Sequence, residues 1–308
     1  MNNKQLDDKQ LWNRRSFLSL AATASAVGAV STVETASAAS GQTGLKKAVK
    51  IGMVRIKGSL LDKFQLLKKL GFDGVELDSP NNLTLDDVLK ARDESGLTIH
   101  GVVDSIHWQK TLSHPDPAVR AEGLAGLKTA IGDAKAYGAT SVLLVPGKCD
   151  EQATYGQAWK RSQQEIRKAL PLAEETGIQV LMENVWNDFL TSPQETARFI
   201  DELESEMVGA YFDVGNSVRY SPPACWIPVL GKRIKKIDIK EYSTKLVTQG
   251  NVYKGFGVKL LEGECNWPLV MEELRKINYQ SWGTAEIPGG GEQRLREIAQ
   301  RMDRIIAS

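Results

Sequence analysis

The 308-residue sequence predicts an α/β protein built as a (β/α)8 barrel, the TIM-barrel fold, over residues 49–308. Short apolar runs and longer amphipathic runs alternate along about 260 residues, which is the arithmetic of eight strand–helix units. A doubly wound sheet is the rival fold, and it normally carries a Gly-rich phosphate loop after its first strand. The stretch MVRIKGSLLDK at that place has a single glycine, so the sequence favours the barrel.

The strands and helices are predicted from the period of their apolar residues. The apolar runs predicted as strands are 49–56, 74–78, 97–104, 141–146, 178–183, 208–213, 234–240 and 281–287. Helical spacing predicts helices over 60–71, 118–138, 162–177, 192–203, 267–277 and 293–307. Ser192 and Pro193 form an N-cap and first-turn pair. The sixth helix is weakly signalled by the proline-rich stretch 221–231, and the long segment 243–262 is predicted to cover the substrate.

The N-terminal residues have a different character from the rest of the chain. The letters RRSFL at 14–18 precede a weakly apolar, alanine-rich stretch and an ASA site at 36–38. This string resembles a twin-arginine export signal, although an amphipathic helix with a chance arginine pair is the alternative. We expect residues 1–38 to be a signal peptide that is removed, residues 39–48 to be a linker, and the protein to be periplasmic or otherwise extracytoplasmic.

Composition argues against several classes of partner. The formal net charge is +1, and no basic run of the kind used to bind nucleic acid follows the N-terminus. No apolar stretch after the signal has transmembrane length, so no stable membrane insertion is expected once the signal is cleaved. The cysteines at 149, 225 and 265 form no CxxC pair, and no disulfide is expected.

Carboxylates stand at the ends of the last four predicted strands. The residues are Glu183, Asp213, Asp238 and Glu286. Active sites of (β/α)8 barrels lie at the carboxyl ends of the strands, and four acids converging there would repel one another unless a cation binds. An all-oxygen donor set favours one divalent ion of the Mn²⁺ or Mg²⁺ type over zinc. The alternative is that each acid caps the helix that follows it.

The motifs around these acids resemble a known superfamily. LMENVW at 181–186, YFDVGN at 211–216, IKKIDIKEY at 234–242 and AEIPGG at 285–290 are similar to the strand 5–8 signature of the xylose-isomerase-like sugar phosphate isomerase/epimerase superfamily. The resemblance extends over residues 49–305 and implies a single divalent ion held by Glu, Asp, His and Glu.

Three of the four implied ligands match this chain, and one departs. Glu183, Asp213 and Glu286 match, whereas Asp238 stands where many relatives have His. Asn216 likewise stands where many relatives carry a His three residues after the ligand Asp. The superfamily also includes zinc nucleases with several histidines, but the three histidines of this chain all precede strand 4, which argues against that branch.

Five further residues are predicted to bind substrate. They are Glu76, His107, Trp108, Asn216 and Lys240. Glu76 is expected to contact substrate or to pair with a base such as Lys240. His107 is a candidate partner for a sugar hydroxyl, or alternatively a structural residue, and Trp108 offers a ring face to a sugar. Lys240 is expected to stabilise an oxyanion or to neutralise the acids, with surface pairing as the alternative.

The function predicted from these features is that of an exported metal-dependent sugar isomerase or epimerase. Glu183 and Glu286 would remove and return a proton next to a carbonyl, through an enediolate stabilised by the metal. A small sugar or keto-sugar is the expected substrate, and export favours one without phosphate. The alternatives are a lyase or hydratase acting on keto-sugars or 3-keto-glycosides, and a non-catalytic carbohydrate-binding barrel. A homo-oligomer is left open.

Overall fold

The computed structural model describes residues 44–247 and 251–308. The predicted signal peptide lies outside the described residues. Eight parallel strands close into a barrel in sequence order, which confirms the predicted fold. The strands are β1 Lys46–Lys50, β2 Gly74–Ser79, β3 Thr98–Asp104, β4 Ser141–Leu144, β5 Gln179–Glu183, β6 Val208–Asp213, β7 Ile234–Ile239 and β8 Trp282–Ala285.

Helices connect the strands and cover the outside of the barrel. They are α1 Leu60–Lys69, α2 Leu85–Ser95, α3 Pro117–Tyr137, α4 Tyr155–Thr176, α5 Pro193–Asp201, α6 Val214–Ser217, α7 Trp226–Leu230, α8 Trp267–Lys276 and α9 Glu292–Ile306. The predicted N-cap of α5 is present, because the Ser192 side chain accepts a hydrogen bond from the Glu195 N–H at 3.3 Å. Helices α3 and α4 end on glycines with left-handed φ angles of 79° and 71°.

The first strand differs from its prediction. It begins at Lys46, inside the predicted linker, and ends at Lys50, where the chain enters a short 3₁₀ turn over Ile51–Met53. The strand has the sequence KKAVK, whose three lysines interrupt the apolar pattern by which strands are predicted. Successive side chains of a strand point to opposite faces, and the two lysines follow this rule. The Lys47 ammonium pairs with Asp303 of α9 outside the barrel, whereas the Lys50 ammonium points to the barrel mouth.

Other helices also differ from their predicted bounds, because local contacts decide where they begin and end. Helix α4 begins seven residues before the predicted 162, since Thr154 and Gln157 form a capping box there, and it continues through Pro171. The weak sixth helix is split into α6, α7 and short 3₁₀ turns. In the segment after β7, residues 243–247 and 251–262 hold two 3₁₀ turns.

The barrel interior is partly polar. The Tyr211 hydroxyl lies 2.8 Å from the Thr284 hydroxyl, which lies 3.1 Å from His100 Nε2. Lys236 Nζ lies 3.1 Å from His100 Nδ1, and the imidazole stacks on Trp282. Burial lowers the pKa of His100 well below its usual value, so this histidine is a neutral packing residue beneath the mouth.

Among the described residues, no helix combines the length and the apolar character that crossing a membrane requires. The three cysteines lie in described parts of the chain, and each carries a free thiol.

Candidate metal centre and active site

The four predicted carboxylates converge at the carboxyl end of the barrel. Glu183 and Asp213 are the last residues of β5 and β6, Asp238 is the fifth residue of β7, and Glu286 follows β8 directly. The register places Asp213 opposite Asp238 on the neighbouring strand. One oxygen from each of the four residues lies within 4.8 Å of the other three. Parallel strands in register therefore bring residues more than 100 positions apart into one cluster.

The cluster leaves several buried oxygen atoms without hydrogen-bond donors. Within the described part of the chain, both oxygens of Asp238, Oδ2 of Asp213 and Oε2 of Glu286 accept no hydrogen bond. A buried carboxylate oxygen without a partner costs free energy, and native structures rarely tolerate it. Carboxylate oxygens are the donors that Mg²⁺ and Mn²⁺ prefer. The residues present thus fit a hard divalent cation.

Two lysines offset part of the negative charge. Lys240 Nζ lies 3.1 Å from Asp213 Oδ2 and 3.4 Å from Glu286 Oε2. Lys50 Nζ lies 3.2 Å from Asp238 Oδ2 and 3.9 Å from Glu286 Oε2. The two ammonium groups thus balance only part of the charge of the four carboxylates, which leaves a reason for a cation to bind. Lys50 is a site residue that the sequence did not reveal.

The surroundings of Glu183 and Glu286 shift the pKa values of these two residues in opposite directions. Burial raises the pKa of Glu183 well above its usual value, and the negative charge of Glu286 raises it further. Burial also acts to raise the pKa of Glu286, but the ammonium groups of Lys240 and Lys50 outweigh it and hold that pKa at about 2. Two carboxyl groups with divergent pKa values can serve as an acid and a base.

The two aspartates are shifted in the same direction as Glu183. Burial raises the pKa of Asp213 to about 6 and that of Asp238 well above the usual range, although Lys240 and Lys50 act against these shifts. A bound divalent cation favours the charged form of every carboxylate around it. The protonation of the cluster and the binding of a cation are therefore linked.

Asn216 holds the cluster in place. Its N–H donates to Asp213 Oδ1 at 2.7 Å, and its side-chain nitrogen lies 3.4 Å from Glu183 Oε1. Asn184, which the sequence analysis did not single out, clamps the end of β6. Its side chain donates to the Asp213 carbonyl and accepts from the Asp213 N–H, both at 2.9 Å. These amides fix the positions of two carboxylates.

The remaining predicted substrate residues lie in varied surroundings. Glu76 is fully buried and pairs with a lysine, as one of its two predicted roles has it, but that lysine is Lys50, at 3.0 Å, rather than Lys240. His107 is buried too, and its Nδ1 accepts the Val145 N–H at 3.2 Å, while burial lowers its pKa to about 3. Trp108 is 48% exposed and meets the His107 ring edge-on at 5.4 Å. Of these three, Trp108 is the one most open to a ligand.

Fold and site together define a class of protein, namely parallel (β/α)8 barrels with an acidic, cation-fitting mouth. The chain belongs to the xylose isomerase-like TIM barrel family, whose profile matches residues 64–305.

Curated relatives and solved structures agree with this membership. L-ribulose-5-phosphate 3-epimerase of Escherichia coli (strain SMS-3-5 / SECEC) is 25% identical over 266 residues, covering 80% of this chain and 89% of that protein. The crystal structure of 3-keto-D-glucoside 4-epimerase from E. coli has a TM-score of 0.72 and 16% identity, and the match covers 86% of this chain and all of that one.

A third likeness is D-psicose 3-epimerase of Clostridium cellulolyticum H10, solved with D-tagatose. Its TM-score is 0.67 at 17% identity, over 85% of this chain and 98% of that one. At such identities the structural likenesses show the fold. The relatives and structural neighbours named here are sugar epimerases, which supports an isomerase or epimerase enzyme.

Proposed function

We propose that the chain is a metal-dependent sugar isomerase or epimerase, exported by the twin-arginine route. The observation that carries the proposal is the convergence of four strand-end carboxylates at the barrel mouth, with Lys240 and Lys50 beside Glu286. The three relatives and structural neighbours reported above are named as sugar epimerases, which supports the reaction class.

The proposed ligands of one Mn²⁺ or Mg²⁺ ion are Glu183, Asp213, Asp238 and Glu286. When bound, the ion supplies positive charge beside a carbonyl oxygen and a neighbouring hydroxyl, which acidifies the C–H bond between them. Asn184 and Asn216 hold Asp213 in place for this purpose. Lys240 keeps Glu286 ionised, since its ammonium lies 3.4 Å from Glu286 Oε2.

Glu183 and Glu286 are the proposed acid–base pair. One of the two glutamates takes the proton from the carbon beside the carbonyl, and the other returns a proton to the intermediate. Delivery to the opposite face of the same carbon gives epimerisation, whereas delivery to the former carbonyl carbon gives isomerisation. Each carboxylate has two oxygens, so one can face a cation while the other faces the substrate.

The proposed substrate is a sugar or keto-sugar without phosphate. Phosphorylated sugars are mainly cytoplasmic, so the proposed export favours an uncharged substrate, in contrast with the phosphate named for the E. coli relative. The same proton abstraction also serves elimination or hydration of a 3-keto-glycoside. The product distinguishes that lyase or hydratase reaction from epimerisation.

Proton exchange with solvent tests the proposal. Mn²⁺-loaded protein is incubated in D₂O with D-fructose, D-psicose, D-tagatose and a 3-keto-glucoside, and products and deuterium are followed by NMR. We expect deuterium at the carbon next to the carbonyl. Glu183→Gln and Glu286→Gln should each lower turnover by about 10²–10⁴-fold. Glu165→Gln is the matched control, because Glu165 is a buried, ion-paired glutamate on α4.

Metal content has to be measured on the same samples, because Gln can also loosen the ion. Full occupancy with unchanged turnover in both variants would show that the glutamates are ligands only. An unsaturated product in place of an epimer would establish the lyase reaction. Failure to exchange or convert every sugar tested would favour a carbohydrate-binding barrel.

A further inference from the structure

An aromatic cluster beside the carboxylates takes no part in the mechanism above. Trp186 packs on Tyr242, Tyr253 and Phe256, with ring centroids 4.9, 5.6 and 4.7 Å away. The Arg219 guanidinium lies over the Trp186 ring at 5.0 Å. We call these five residues the rim cluster. They come from the segments that follow β5, β6 and β7.

The rim cluster adjoins the candidate active site. Trp186 follows Glu183 by three residues, and its indole N–H donates to the Asn216 carbonyl at 2.7 Å. Lys240 Nζ lies 5.0 Å from the centre of the Phe256 ring and 3.4 Å from Glu286 Oε2. A ligand extending from the carboxylates past Lys240 therefore meets Phe256 and then the other rings.

Two members of the rim cluster are exposed to solvent. Tyr253 is 61% exposed, and the adjacent Val252 is 42% exposed. Arg219 is exposed as well, and it forms no ion pair with any acid in the described ranges. Exposed apolar surface next to a reaction site is typical of a ligand-binding groove.

The chemistry of the rim cluster matches a pyranose ring. A sugar ring has an apolar C–H face, which suits a tyrosine or tryptophan ring, and an edge of hydroxyl groups. Arg219 supplies five N–H donors for such hydroxyls, and its stacking on Trp186 holds the guanidinium plane in place. A purely apolar partner would leave this guanidinium buried and unpaired, which is costly.

We propose that the rim cluster is a second sugar-binding subsite, and that the substrate is a keto-sugar carrying a second sugar ring. The keto-sugar lies at the carboxylates, and the second ring stacks on Tyr253 and Trp186 with its hydroxyls toward Arg219. The identity of the keto-sugar half rests on the proposed function. The subsite itself is a binding element and moves no proton.

Paired ligands test the subsite. Isomaltulose and lactulose carry a glucosyl or galactosyl ring on the same fructose unit, so D-fructose is the matched single-ring ligand. Binding to Mn²⁺-loaded protein is measured by calorimetry. We expect at least one disaccharide to bind more tightly than D-fructose. Tyr253→Ala should weaken that disaccharide by about two- to tenfold, the worth of one aromatic contact, and leave D-fructose unchanged.

Leu246→Ala is the control, because Leu246 is 43% exposed in the same segment and lies outside the rim cluster. It should leave both affinities unchanged. Equal affinity for one and two rings, or equal losses for both in Tyr253→Ala, would overturn the subsite. A change of molecular mass in solution on Tyr253→Ala, without a change in disaccharide affinity, would make the patch a contact between copies of the chain and overturn the proposal too.

The outcomes also separate this inference from the proposed function. Tight disaccharide binding that depends on Tyr253, without deuterium exchange in any sugar, leaves the subsite standing and removes the isomerase or epimerase reaction. Deuterium exchange in D-fructose, with equal affinity for ligands of one and two rings, would support the isomerase or epimerase reaction and overturn the subsite.

Discussion

Asp238 gives the site its chemical character at the scale of single residues. It stands where the resemblance of the sequence to the family implies a His, and neither of its oxygens accepts a hydrogen bond from the described chain. A carboxylate at this position makes the donor set all-oxygen, which favours hard cations. Lys50 faces it at 3.2 Å and limits the charge that the extra carboxylate brings.

Asp104, outside the metal cluster, provides a prediction about pH. It ends β3, is 1% exposed, and its Oδ1 accepts the Ile106 N–H at 3.3 Å. Burial raises the pKa of Asp104 to about 7. The folded state thus binds more protons than the unfolded state, where Asp has a pKa of about 3.9. The stability it contributes is present below about pH 4 and is lost as pH rises through 7.

Asp104→Asn keeps the acceptor and removes the titration. The stability of the variant relative to wild type should therefore rise between pH 5 and pH 8, by about 1–4 kcal/mol. Urea unfolding at the two pH values measures the difference. A relative stability that stays constant or falls with pH would contradict the burial argument.

The sequence predicted the carboxylates but not the lysine below them. Each of the four acids ends or follows an apolar run, so its position at the end of a strand can be predicted from the sequence alone. Lys50 lies inside the predicted run 49–56, and only the pairing of Lys50 with Glu76 across β1 and β2 shows that its ammonium enters the mouth. Likewise, the partner of Glu76 depends on which lysine reaches it in three dimensions.

The segment after β7 is the element that shapes one wall of the site. The Glu241 side chain is 1% exposed and holds the C-terminal end of this segment in place. Its carboxylate accepts hydrogen bonds from the Leu261 N–H at 2.9 Å, the Cys265 N–H at 3.1 Å and the Trp267 indole N–H at 2.9 Å. Because Glu241 follows Lys240 directly, the same turn also orients the lysine that lies beside Glu286.

Removing this clamp should be costly. Glu241→Ala leaves three N–H donors without their acceptor, at about 1–3 kcal/mol each, so we expect a loss of at least about 3 kcal/mol. Amide hydrogen exchange should quicken in residues 258–267 first. Glu262→Ala, which removes an exposed ion pair with Arg301, should cost less than about 1 kcal/mol. Equal effects of the two substitutions would show that the clamp contributes nothing special.

Elements with a strong apolar period were predictable, and the misplaced ones have physical causes. α2, which the sequence analysis did not locate, buries only Val88 and Ala91, so its periodic signal is weak. The start of α4 depends on a capping box rather than on apolar spacing. The aromatic contacts of the rim cluster join three separate segments, and a one-dimensional pattern carries no trace of them.

At the scale of the whole molecule, export is a prediction of its own. The twin-arginine route carries folded proteins, so the signal predicted at residues 1–38 would suit a barrel that acquires the proposed metal ion before export. Replacing Arg14 and Arg15 by lysine should leave the precursor unprocessed in the cytoplasm. Cell fractionation with N-terminal sequencing measures this, and Lys4→Arg serves as a control. Normal processing of the double variant would reject the signal.

Binding of Mn²⁺ tests the central claim most directly, because the proposed isomerase or epimerase reaction depends on one cation held by four carboxylates. Calorimetric titration of Mn²⁺ into chelator-stripped protein should give one ion per chain. Asp238→Ala should weaken binding by at least about tenfold, whereas Asp104→Asn should leave it unchanged. Absence of binding in the wild type, or an unchanged affinity in Asp238→Ala, would contradict the account.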